Sequence, residues 1–161
     1  MEEKEKFMRA ALRRAQRGLE RGEVPVGAVI VHEGKVVAGG YNRRTATQKA
    51  GSHAEMYAID RACKKFNSWR LPECDLYVTL EPCPMCMGAA LNARVRKIYF
   101  GAYEQKGRSM TMELATSNLL NHTLEVEGGV LEEECSALLT GFFRDMRNKT
   151  RERQAEEPPQ G

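Results

Sequence analysis

The sequence predicts a single α/β domain, a sheet covered by helices on both faces. Three observations carry this. Helical and strand-like periodicities alternate along the chain. No internal repeat or linker interrupts them. The 161 residues, 42% hydrophobic and 29% charged, suit one domain with a sizeable core.

Each element has its own signal. Residues 3–21 form an amphipathic pattern, with Phe7, Met8, Ala11, Leu12, Ala15 and Leu19 at helical spacing and Gly22 as the stop. VPVGAVIV is a short β-branched run, followed by HEGK and VVAGG, which predicts two strands turning at Glu33-Gly34. Residues 41–52, YNRRTATQKAGS, are polar and aperiodic and predict a loop. A helix is expected from about His53, N-capped by Ser52, to Asn67, with Met56, Ile59, Ala62 and Cys63 as its buried stripe. A third strand is expected over Leu76 to Leu80, with Cys74 in the loop before it. EPCPMC then opens a helix, Met85 to Ala93, whose small residues Gly88, Ala89 and Ala90 allow close packing.

VRKIYFG and TLEVEGG predict the fourth and fifth strands, with a short helix between them around Met112 to Leu119. The last helix, Leu131 to about Lys149, is apolar at Cys135, Leu138, Leu139, Phe142, Phe143 and Met146. Residues 1–149 thus form the domain, and the charged tail 150–161, which contains Pro-Pro, is expected to be disordered.

The N-terminus lacks an apolar signal segment and no run approaches a membrane span, so a cytoplasmic protein with no membrane partner is expected. There the five cysteines stay reduced. The net charge of +3 is no evidence for nucleic acid in itself.

Cys83 and Cys86, three residues apart at a helix start, can face one centre. Pro82 and Pro84 are tolerated in a first turn, and the helix dipole there favours thiolates. Neither His32 nor His122, and none of Cys63, Cys74 and Cys135, has a partner at zinc-knuckle spacing. His53 comes as SHAE, with Glu55 two residues on. Alone, Glu55 reads as a helix-capping carboxylate and His53 as an ordinary surface or core histidine. Together, one histidine and two cysteines give three zinc ligands and leave the fourth position open, the pattern of a catalytic metal. H-x-E followed by P-C-x-x-C is the signature of the zinc-dependent base deaminases.

The order VPVGAVIV, Tyr41-Asn42, SHAE, LYVTLEPCPMCMGA, YFGA and GGVLEEECSALLTGFFR resembles the bacterial tRNA adenosine deaminases over about residues 5–149. The resemblance implies the three-layer α/β/α cytidine-deaminase-like fold with a five-stranded mixed sheet. It implies a homodimer that converts the wobble adenosine of a tRNA anticodon stem-loop to inosine, with one Zn2+ per subunit. It makes His53, Cys83 and Cys86 the metal ligands, Glu55 the general acid/base, and Asn42 and the Ala54 N–H the contacts to the base. Asn42 also reads as a plain turn residue. Arg44, Arg70, Lys106, Arg144 and Arg147 are candidates for phosphate contacts, and Phe143, with Phe142, for bracing a nucleotide.

Three departures stand out. YEQKGRSMTM lacks the second glycine of the family's loop. Pro84 is more typical of enzymes acting on free bases such as guanine. Gly51-Ser52 replaces the usual Pro-Thr or Pro-Ala. A guanine or cytidine deaminase is therefore the nearest alternative, and a non-catalytic zinc-stabilised binding subunit the remote one.

Overall fold

The structure, a computed structural model, describes residues 2–104, 108–117 and 120–159. The elements run α1 (Glu3–Glu20), β1 (Gly27–His32), β2 (Lys35–Tyr41), α2 (Arg44–Thr47), α3 (Ala54–Phe66), β3 (Cys74–Leu80), α4 (Pro84–Asn92), β4 (Lys97–Ala102), α5 (Arg108–Thr116), β5 (Glu125–Glu127) and α6 (Glu132–Glu156). The sheet has five strands in the order β2-β1-β3-β4-β5. β1 is antiparallel to both β2 and β3, whereas β3, β4 and β5 run parallel.

Strand alternation decides the layers. Ala28, Ile30, Leu76, Val78, Ile98 and Phe100 point to one face and pack against Ala58, Ile59 and Ala62 of α3 and Met87, Ala90 and Leu91 of α4. Val29, Val31 and Tyr77 point to the other, against Phe7, Met8 and Ala11 of α1 and Cys135 of α6. The expected three-layer α/β/α fold with a mixed five-stranded sheet is the one observed.

The Glu33-Gly34 turn has positive φ at both residues, 48° and 74°, as the tightest hairpins require. Gly40 on β2 lies directly under α3. A Cβ there would stand 2.5 Å from Tyr57 Cβ and 2.8 Å from the Ala54 carbonyl oxygen. This approach seats the start of α3 on the sheet.

Some boundaries differ from expectation. Within the expected loop 41–52, residues 44–47 close a helical turn, because Glu23 captures its first amides: Thr45 N and Ala46 N each donate to the Glu23 carboxylate at 2.9 Å. The N-cap of α3 is His53 in an extended conformation, not Ser52, whose hydroxyl bonds instead to Thr47 Oγ1 at 2.6 Å. Cys74 begins β3 and pairs with His32. The tail is not irregular throughout. α6 continues past Lys149 to Glu156, since no residue from Thr150 to Glu156 breaks a helix, and it ends as Glu157 turns extended before Pro158.

Candidate active site

Two helix starts meet at one end of the sheet. β3 runs through Glu81-Pro82 into Cys83, the N-cap of α4, with Pro84 at the first helical position. Beside it, α3 begins at His53. His53 Nδ1 lies 3.6 Å from Cys83 Sγ and 3.4 Å from Cys86 Sγ. The three ligand atoms all lie within 4.8 Å of one another and could hold a metal ion. Tetrahedral zinc with Zn–S about 2.3 Å and Zn–N about 2.05 Å demands an S···N edge of about 3.6 Å, so the donor set and its spacing fit that metal. Among the described residues no fourth His, Cys, Asp or Glu joins the group.

The electrostatics fit the same use. The hydrogen bond from Cys86 pushes the Cys83 thiol down to about 4 against its burial, with His53 adding to the effect. The same bond, together with burial, drives Cys86 upward. A bound dication would favour the ionised form of both thiols. The hydrogen bond with Cys83 raises His53 against its own burial.

Glu55, in the first turn of α3, is 4% exposed. Burial pushes its carboxyl up, opposed by its own backbone N–H, Cys86 and His53. Residues i and i+2 of a helix point apart, but His53 lies outside the helix as its cap, so both side chains reach one cavity.

That cavity, about 380 Å3, has apolar walls from Val24, Val26, Leu80 and Pro82, and polar groups from His53, Glu55 and Cys83. Asn42 and Ala54 line it, and Arg44 stands at its rim. Asn42 Oδ1 accepts the Arg44 N–H at 2.9 Å, so the turn role and the cavity position coexist. Ala54 opens α3, where its N–H lies outside the intrahelical ladder.

Arg70, Phe143, Arg144 and Arg147 do not line the cavity. Arg70 lies against Trp69, 5.6 Å from its ring centroid. Phe143 and Arg147 border a separate shallow groove on α6, and Phe142 packs edge-on to Phe143 at 5.3 Å. Lys106 falls outside the described residues.

Sequence reasoning overlooked Glu81 and Thr111 as walls and Glu23 as the anchor of the rim. Thr111 Oγ1 donates to the Pro82 carbonyl at 2.9 Å, tying α5 to the cysteine loop, and Glu81 Oε1 accepts the Glu104 N–H at 3.1 Å. Glu81 is the first residue of EPCPMC and Glu23 immediately precedes VPVGAVIV, which was the available signal.

Comparison with known proteins agrees with this geometry. The family model for MafB19-like deaminases matches residues 2–147. A tRNA-specific adenosine deaminase of Bacillus subtilis (strain 168) is 47% identical over 151 residues, 92% of this chain and 94% of that protein. A structure from studies of A-to-I editing by tRNA:A34 deaminases at the wobble position of transfer RNA superposes with a TM-score of 0.78 at 40% identity, over 83% of this chain and 98% of its own. A guanine deaminase from Bacillus subtilis reaches a TM-score of 0.60 at 37% identity over 66% and 68%. The chain belongs to the tRNA-specific adenosine deaminase family of the MafB19-like deaminases.

Proposed function

We propose that this protein is a zinc-dependent hydrolase that deaminates adenosine to inosine at the wobble position of a tRNA anticodon, acting in the cytoplasm as a homodimer. The observation that carries this reading is the His53–Cys83–Cys86 group at zinc spacing with buried Glu55 beside it. The relatives' names supply the substrate class.

His53 Nδ1 and the thiolates of Cys83 and Cys86 would hold the metal. Bound zinc supplies Lewis acidity that makes a water nucleophilic near neutral pH. The rest falls to the chain. Asn42 and the Ala54 N–H orient the base, and Val24, Val26 and Leu80 keep bulk water from its ring. Glu55 takes a proton from the incoming water and delivers it to N1, and water adds to C6. The same carboxyl then takes the remaining proton from the new C6 hydroxyl and passes it to the amine, so the C6–N bond breaks as C6=O forms and adenosine and water give inosine and ammonia. Burial raises the Glu55 carboxyl above its ordinary value, which favours its role as a proton donor. Anticodon-loop bases are already unstacked, so presenting the target costs little. Arg44 meets phosphate at the rim, and Lys106, Arg70, Arg144, Arg147 and Phe143 are the outer contacts.

Pro84 and the likeness to a guanine deaminase favour a second reading, a free-base deaminase. The deciding experiment incubates wild type and Glu55→Gln with an anticodon stem-loop and with guanine, measuring zinc in each protein. Inosine in the RNA, no xanthine, and a loss of about 100-fold or more in a zinc-replete variant support the adenosine reading. Xanthine alone, or full activity of Glu55→Gln, overturns it.

A further inference from the structure

β2 is an outer strand of the sheet, and arginine and tyrosine side chains cross its free edge in alternation. Arg21, just beyond α1, lies 5.6 Å from the Tyr41 ring centroid. Arg43 lies 5.9 Å from that ring and 5.5 Å from the Tyr57 ring. Arg61 lies 5.5 Å from Tyr57, and its Nη1 donates to the Gly39 carbonyl at 2.7 Å. Arg14 approaches Gly39 from α1, so close that a Cβ at Gly39 would stand 2.8 Å from its Nε. Four guanidiniums thus gather along one strand.

Among the described residues no carboxylate meets this charge at ion-pair distance, although Glu23 partly offsets Arg43. The nearby Glu23 carboxylate is bonded to the amides of Thr45 and Ala46. Arg14 is held below its ordinary value by burial and then by Arg17, Arg61 and Arg13. The ladder also adjoins the cavity, because Asn42 and Arg44, which line it, flank Arg43.

We propose that this edge is a contact surface for the sugar-phosphate backbone of the paired stem that carries the edited loop. The inference rests on the tRNA reading above. Both tyrosine rings are already engaged by two guanidiniums each, so they offer no open platform for stacking a base. What the surface presents is guanidinium N–H groups, which suit phosphate oxygens and carry no sequence preference. Arg61 stands eight residues beyond His53, about 12 Å along α3, a reach that takes the contact past a loop nucleotide and onto the stem. The arginines also discourage strand addition at this edge, a role that would not need RNA.

The test compares wild type, Arg21→Gln/Arg61→Gln and Arg21→Lys/Arg61→Lys on an adenosine-bearing hairpin with a long stem and on its loop sequence without a stem. It reads inosine kinetics and the salt dependence of binding. The Gln pair should raise KM for the long hairpin about tenfold, hold kcat at saturation, and flatten the log–log salt slope by about one per arginine. The Lys pair should restore the slope. An unchanged KM and slope overturn the proposal, including the case where an acidic protein occupies this edge. A KM rise equal on the stemless loop, or failure of the Lys pair to restore the slope, overturns it as well. Wild type that makes no inosine in any RNA refutes the deaminase reading itself, while the binding slopes still judge the edge.

Discussion

Gly40→Ala should loosen the metal site from across the sheet, although residue 40 touches no ligand atom. The added Cβ would lie 2.8 Å from Ala54 O and 2.5 Å from Tyr57 Cβ, against ordinary contacts of at least 3.4 Å. Both neighbours belong to α3 and neither can swing aside, so the helix must retreat by roughly 0.6–0.9 Å. α4 touches α3 but also rests on α5 and is held by its own link to β3 through Glu81-Pro82, so it need not follow in full. His53, the cap of α3, would then move relative to Cys83 and Cys86 by up to that distance, whereas zinc sites tolerate about 0.2 Å. Overpacking of this kind costs about 1–3 kcal/mol, or about 3–10 °C in a chain of this size. Zinc affinity should fall about tenfold or more. Thermal melts with and without metal, together with chelator competition, measure both. A variant that melts with wild type and keeps its zinc affinity would show that sheet packing does not set the ligand geometry.

Two further outcomes follow from the structure. In Glu23, burial raises the carboxyl, but the amides of Ala46 and Thr45 and the Arg43 charge outweigh it and hold it below its ordinary 4.5. Ionisation therefore favours folding above that pH, and the benefit fades as pH falls through the depressed value. The stability gap between wild type and Glu23→Gln should be full near neutrality and close in acid, as urea midpoints across pH would show; a gap independent of pH refutes the assignment. Thiol titration of the folded, zinc-loaded protein should find only half-buried Cys63 reactive, while chelation should release Cys83 and Cys86 and leave buried Cys74 and Cys135 slow. A count that chelation does not change would sink the zinc assignment.

Most of the site was legible because its signals are local. The CxxC spacing, the prolines at the entrance of α4 and the H-x-E at the start of α3 each fix a side chain relative to its own helix. What the sequence hid depends on distant partners. The turn at 44–47 exists because Glu23 holds it, and nothing inside RTAT announces that. Ser52 looked like a cap but spends its hydroxyl on Thr47 and Tyr57. Thr111 gives no hint in its own neighbourhood that it reaches the Pro82 carbonyl. The length of α6 was misjudged for a different reason: loss of apolar periodicity after Met146 ends an apolar stripe, not a helix, and Phe143 and Met146 of that stripe are themselves exposed.

The parallel pairing of β3 with β4 has an engineering consequence. It brings the outlets of both strands to one rim, so Cys83 arrives on one crossover while Glu104 and Thr111 arrive on the next. Holding the ion and shaping the entrance are thus assigned to separate stretches of chain. Libraries confined to the second crossover therefore vary the entrance at Glu104 and Thr111 while His53, Cys83 and Cys86, and the base-facing Asn42 and Ala54, stay in place.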